Sequence, residues 1–139
     1  MAGYFQVSDH LYDGAHKAGE ALQNGVFVEI TAAGVKKIAA AGDATFRVDE
    51  KTSLWGLPAL RLSCIGEGTK DIYFVENEIE NYGDRGDFDD SQYEVKKDHF
   101  VKMRRPALND KLIMSVDENL FAAINEGDIV SPAAGGYVA

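Results

Sequence analysis

His99-Phe100-Val101-Lys102-Met103-Arg104-Arg105-Pro106, then Lys111-Leu112-Ile113-Met114-Ser115-Val116, then Gly127-Asp128-Ile129-Val130-Ser131-Pro132-Ala133-Ala134-Gly135-Gly136-Tyr137-Val138: these C-terminal runs decide the fold. They are short, apolar or alternating, and cut by Pro, Asn-Asp and Gly, which is the pattern of β-strands and turns. Alternation sets Phe100, Lys102 and Arg104 on one face and Val101, Met103 and Arg105 on the other. Pro106 ends that strand because it lacks the amide donor. Lys111 to Val116 reads as a second strand. Asp117-Glu118-Asn119 opens a turn or short helix carrying Leu120, Phe121 and Ile124. Gly127 to Val130 and Tyr137-Val138 read as a last small hairpin.

Upstream the grammar is the same. Asn24-Gly25 is a turn signal before Val26-Phe27-Val28-Glu29-Ile30, and Val35 to Ile38 returns as the partner strand, so residues 26–38 read as a hairpin. Thr45 to Val48 alternates. Leu54-Trp55-Gly56-Leu57-Pro58 is an apolar turn in which Trp55 serves the core or anchors an interface. Leu60 to Ile65 and Asp71 to Val75 read as a hairpin across Gly66-Glu67-Gly68-Thr69-Lys70. Roughly eight to ten short strands and at most two short helices are expected. The fold class is therefore mainly β, a small antiparallel β-sandwich or barrel.

Two segments stand apart. Residues 1–24 carry Gly3, Gly14 and Gly19 with little apolar periodicity, and read as an extended N-terminal arm before a β-rich domain at 25–139. Residues 76–98 hold nine carboxylates against Arg85, Lys96 and Lys97, which reads as an exposed acidic loop.

Composition narrows the function. The 139 residues suit one domain, and at this size folding hides roughly two thirds of the unfolded chain's surface. A net charge of −9 and a pI of about 4.7 disfavour nucleic acid, whose phosphates require Lys and Arg. No apolar stretch is long enough to span a membrane, and Met1 to Gln6 lacks the blocks of a signal peptide. Cys64 is the only cysteine, so no internal disulfide forms, which fits a reducing compartment.

No catalytic spacing is present: no nucleophile elbow, no His-Glu-x-x-His, no phosphate loop and no dinucleotide fingerprint. Cys64 sits in an apolar run and reads as a buried structural thiol. His10 and His16 lack the partners of a zinc site. Asp84 to Asp90 fails the spacing of a calcium loop, and Arg85-Gly86-Asp87 within it is a short match of the kind chance supplies. An exposed acidic loop does not hold the two carboxylates of a glycosidase at fixed separation. The expectation is no enzyme, no metal and no cofactor.

Two stretches resemble head decoration, or cement, proteins of tailed bacteriophages. One is Ala18-Gly19-Glu20-Ala21-Leu22-Gln23-Asn24-Gly25-Val26-Phe27-Val28. The other comprises Phe100 to Arg105, Lys111 to Val116, and Glu126 to Val138. Together they cover about a quarter of the chain. The resemblance implies a virion structural protein that binds the outside of an assembled capsid, with the major capsid protein as partner, made in the host cytoplasm and located on the capsid exterior. It also implies self-association as a dimer or trimer at local symmetry axes. The contact residues expected on that basis are Tyr4, Phe5, Leu11, Tyr12 and His16 on the arm, Trp55 as an anchor, and Lys102, Arg104 and Arg105 facing acidic capsid groups. Each has a plainer role as well: the arm aromatics pack on their own domain, and the basic residues solvate an edge strand. Two other readings stay open. One is a tail or head-fibre subunit. The other is a carbohydrate- or receptor-binding β-module, using Tyr73, Phe74, Tyr82, Phe88 and Tyr93 around the acidic loop.

Overall fold

The computed structural model describes residues 3–5, 12–54, 56–76 and 94–139. Its longest feature is a hairpin of two ten-residue strands, β6 (Thr45–Leu54) and β7 (Leu57–Gly66). Leu54 pairs with Leu57 at its tip, where Gly56 takes a left-handed φ of 78°. One face of this hairpin is apolar and buried: Phe46, Val48, Leu60, Leu62 and Cys64. The pairing register shifts between Val48 and Glu50, the mark of a β-bulge.

Two five-stranded sheets are built around it. Sheet I runs in the order β1 (Gly3–Phe5), β11 (Lys111–Ser115), β7, β6, β12 (Ile129–Val130). Sheet II runs β2 (Tyr12–Lys17), β10 (Phe100–Arg104), β8 (Tyr73–Val75), β4 (Phe27–Thr31), β5 (Gly34–Lys37). Every strand pair in them is antiparallel. Two small pairs flank the sheets: β3 (Leu22–Gln23) with β9 (Glu94–Val95), and β13 (Pro132–Ala133) with β14 (Tyr137–Val138). The chain is thus mainly β, a small antiparallel sandwich with one short helix among the described residues, α1 (Glu118–Ala123). Asp117 caps that helix by accepting from the Leu120 amide at 2.8 Å.

The sandwich has two cores because sheet II is buried on both faces. Successive residues of a strand point to opposite sides. Phe27 and Phe74 therefore face sheet I, where they meet Phe46, Leu60, Leu62, Leu112 and Met114. The Phe27 ring lies 5.7 Å from Phe46 and 5.4 Å from Phe74, the latter edge-on. Val28 and Val75, one residue further along, turn the other way and pack with Leu22, Val26, Val35, Val95, Val101 and Met103. Burial of each such side chain contributes about 1.5–3 kcal/mol. Double burial also explains why Val26-Phe27-Val28 and Tyr73-Phe74-Val75 read as continuous apolar runs.

Sheet II curls around the second core until its two ends meet. Ala18, just past β2, bridges Val35 of β5, and the Gly19 amide donates to the Val35 carbonyl at 2.8 Å. Two glycines permit this approach. A Cβ on Gly34 (φ 112°) would stand 2.8 Å from the Gly19 nitrogen and 2.9 Å from the Lys17 carbonyl oxygen, and one on Gly19 would stand 2.5 Å from the Ala33 oxygen.

Several readings of the sequence need correction. Leu60 to Ile65 and Asp71 to Val75 are not a hairpin. Both edges of β7 are taken, by β6 and β11, so the intervening segment crosses to the other sheet, where β8 pairs with β4 and β10. Asp43 fixes that crossover by accepting from the Thr69 amide and hydroxyl. The C-terminal hairpin also differs. Ile129-Val130 extends sheet I beside Arg47 and Phe46, and Tyr137-Val138 pairs instead with Pro132-Ala133. Within residues 1–24, Gly3–Phe5 pairs with β11 and Tyr12–Lys17 with β10, so this segment contributes a strand to each sheet.

Candidate functional site

The residues expected to meet a partner fall at several places. Tyr4 and Phe5 lie on the edge strand of sheet I, opposite Ile113 and Leu112. Leu11 and Trp55 lie outside the described residues. Four of the nine come together on one ladder. Tyr12 pairs with Arg104, and His16 pairs with Val101, with Lys102 between the two rungs. Arg105 follows the end of β10.

Strand β10 sorts its residues as alternation predicts. Val101 and Met103 are fully buried in the second core, and Lys102 and Arg104 turn to the opposite face. The two arginines are engaged within the fold. Arg104 Nε lies 3.2 Å from Glu76 Oε1, with only 15% and 21% of the two side chains exposed. Arg105 Nη1 lies 2.5 Å from Asp71 Oδ1. Each of the four described arginines lies within 3.3 Å of a carboxylate oxygen, since Arg47 meets Asp49 and Arg61 meets Glu50.

The other end of β10 is different. Lys96, Lys97, Asp98 and His99 form an exposed turn leading into it, in which Asp98 takes a φ of 70° and the His99 amide donates to Lys96 O at 3.1 Å. Two bonds tie this turn to the end of β2: Ala18 N–H to His99 O, and Asp98 N–H to Ala18 O, both 2.8 Å. Lys17 therefore pairs with Phe100, and its ammonium sits 5.4 Å from the ring centroid. Phe100 is 59% exposed, the highest value among the large apolar side chains of the described residues. Sequence reasoning missed this tip, because Lys96 and Lys97 were counted inside the acidic run. The break in sign at Lys96-Lys97, followed by an aromatic at a strand start, was the available signal.

A second feature was also unmarked in the sequence. An open, mostly apolar hollow of about 490 Å³ lies between β7, β11, α1 and β14, lined by Leu57, Val116, Leu120, Tyr137 and Val138. Its walls come from segments far apart in the chain, so no local pattern announces it.

The chemistry-bearing groups have local partners. Burial pushes the Cys64 thiol up from its ordinary range, and its Sγ–H donates to Gly66 O at 3.5 Å, which leaves little thiolate at neutral pH. Burial raises the Asp49 carboxyl, but the Ser63 hydroxyl and the Arg47 guanidinium more than offset it and hold the group below the usual carboxylate range. The Thr69 hydroxyl and then its amide hold Asp43 low in the same way. Among the described residues no group of three or more His, Cys, Asp or Glu is placed to hold a metal ion. Residues 84–90, weighed above for calcium, lie outside the described residues, as do His10, Tyr82, Phe88 and Tyr93. Phe74, one of the aromatics considered for a glycan platform, is fully buried in the sandwich core. No helix among the described residues is long and apolar enough to cross a membrane.

No protein-family model matches this chain, and neither the curated proteins nor the solved structures contain a match.

Proposed function

We propose that this chain is a non-enzymatic virion structural protein that binds the outer surface of a phage capsid and stabilises it. The observation that carries the reading is the layout of charge on a rigid β body. The chain is strongly acidic, yet three exposed lysines, Lys17, Lys96 and Lys97, gather at one tip beside an aromatic. A cement protein must stay soluble and self-repelling until a completed lattice offers its contact, and net negative charge with one local adhesive patch meets both needs. Many weak contacts on one shell then add through avidity. The likeness to decoration proteins supports the same reading, and the stretches that carry it supply β3, the start of β4, β10, β11, β12 and the C-terminal pair β13–β14.

The major capsid protein is the partner in this proposal, the capsid exterior the location, and a dimer or trimer the form in which it docks. Co-sedimentation of the purified chain with expanded, undecorated heads tests it. Saturable binding at a fixed ratio per capsid subunit is expected. No binding at micromolar concentration would sink the proposal and favour a tail or head-fibre subunit, tested by self-assembly.

A further inference from the structure

We infer that the tip formed by Lys17, Lys96, Lys97, His99 and Phe100 is a docking surface for an acidic protein segment carrying an apolar side chain. The inference does not depend on which assembly supplies that segment. It also moves the expected contact away from Arg104 and Arg105, whose charges already face Glu76 and Asp71.

Three observations point to it. The first is clustered positive charge. Lys17, Lys96 and Lys97 are exposed and put three positive charges on one tip, and no carboxylate among the described residues lies within 4.0 Å of their ammonium groups. Asp98 is the single described carboxylate in the turn itself, and its side chain makes no ion pair with the three lysines. The second is the exposed Phe100 ring with the Lys17 ammonium over it. An aromatic flanked by cations is the composition of an interface anchor, where apolar burial supplies affinity and charge supplies orientation and rate. The third is rigidity. The bonds of Ala18 to His99 and Asp98, and the Ala18–Val35 bridge, fix the turn from behind, so little ordering entropy is lost when it docks.

The size and sign of the patch select the partner. Anchoring to an anionic membrane takes roughly four to eight adjacent Lys or Arg, more than the tip offers. A nucleic acid would meet a chain whose net charge is −9 even with the tip lysines counted, and its extended line of phosphates would be repelled over most of its length. A short acidic protein segment meets the tip alone. Its carboxylates reach Lys17, Lys96 and Lys97, and its apolar side chain covers Phe100.

The test is an amide-shift titration of the full, isotope-labelled chain at low salt with a short peptide of alternating Glu and Leu. A Gln-Leu peptide, duplex DNA and phosphatidylserine vesicles serve as comparators. Shifts are expected at Lys17 and across 96–100, weakening several-fold once salt brings the Debye length to about 8 Å. The Gln-Leu peptide should give none. Lys96→Glu with Lys97→Glu should weaken binding at least about tenfold, the loss of some 1.4 kcal/mol, while the rest of the spectrum stays in place. Phe100→Ala should remove the preference for Glu-Leu over an all-Glu peptide. Lys17→Glu gives a second, independent charge reversal. Four results would overturn the inference: no shifts, shifts spread equally over Lys36, Lys37 and Lys70, tighter binding to DNA or vesicles than to the peptide, or tip shifts that depend only on the protein's own concentration, which would make a second copy the occupant.

Discussion

Phe74 and Phe100 stand beside the two ends of the same strand, and their fates are opposite. Phe74 pairs with β10 at Arg104, is fully buried, and has the Arg104–Glu76 ion pair beside it. Phe100 opens β10, lies mostly in solvent, and has Lys17 over its face, with no carboxylate among the described residues within 4.0 Å of that ammonium. Both are aromatics next to cations in one sheet, on the two ladders that flank β10. The difference shows how the fold divides its resources: at one end aromatic and cation are closed into the structure, and at the other the same chemistry is left facing outward.

The sharpest way to break the comparison is to truncate both rings. Phe74→Ala should cost about 3–5 kcal/mol in chemical denaturation, through lost burial and an unfilled cavity in the sandwich core. Phe100→Ala should change stability by no more than about 0.5 kcal/mol. Equal losses would mean that Phe100 belongs to the folded core after all.

Next in size is the closure behind the tip. Gly34→Ala places a methyl against Gly19 and the Lys17 carbonyl at a backbone φ that disfavours a side chain. A loss of about 1–3 kcal/mol is expected, together with faster hydrogen exchange at Ala18, Gly19 and His99. Unchanged exchange there would show that the closure does not support the tip.

The charges separate in the same way. Arg104→Met leaves Glu76 without its guanidinium in a partly buried place, and about 1–2 kcal/mol should be lost. Reversing Lys96 and Lys97 should leave the unfolding free energy within about 0.5 kcal/mol of the original. A large loss from the lysine variants would move the tip into the structural class.

The smallest expected effect is an acid one. The folded Asp49 carboxyl is held below its unfolded value, so its contribution is present above the unfolded pKa of about 3.9 and is lost as pH falls through the lower folded value. Asp49→Asn should flatten that part of the acid-unfolding curve and leave the neutral region's pH dependence unchanged. An unaltered acid limb would remove Asp49 from the account.

These contrasts also show what the sequence could convey. Alternation and turn chemistry located Phe27–Thr31 with Gly34–Lys37, the strand Lys111–Ser115, and the helix start at Asp117, because each is set by residues close in the chain. Pairing between distant segments was not legible. Leu60 to Ile65 followed by a glycine-rich turn has the local marks of a hairpin, yet β6 and β11 occupy both its edges. No local signal reports an edge already taken. The tip was hidden for a related reason. Lys96 and Lys97 are a minority in an acidic stretch, and only the bonds between Ala18 and the turn bring Lys17 beside Phe100. Tyr12, His16, Lys102 and Arg104 do share one ladder, but the exposed lysine cluster lies a few positions away from the arginines.

The most direct test of the central claim is mechanical. DNA-filled, undecorated heads would be heated with and without saturating protein while DNA release is followed by dye fluorescence. A protein that binds the capsid exterior and stabilises it should raise the rupture temperature and do so saturably, at the ratio found by sedimentation. Rupture at the same temperature with the protein present in excess would contradict the account.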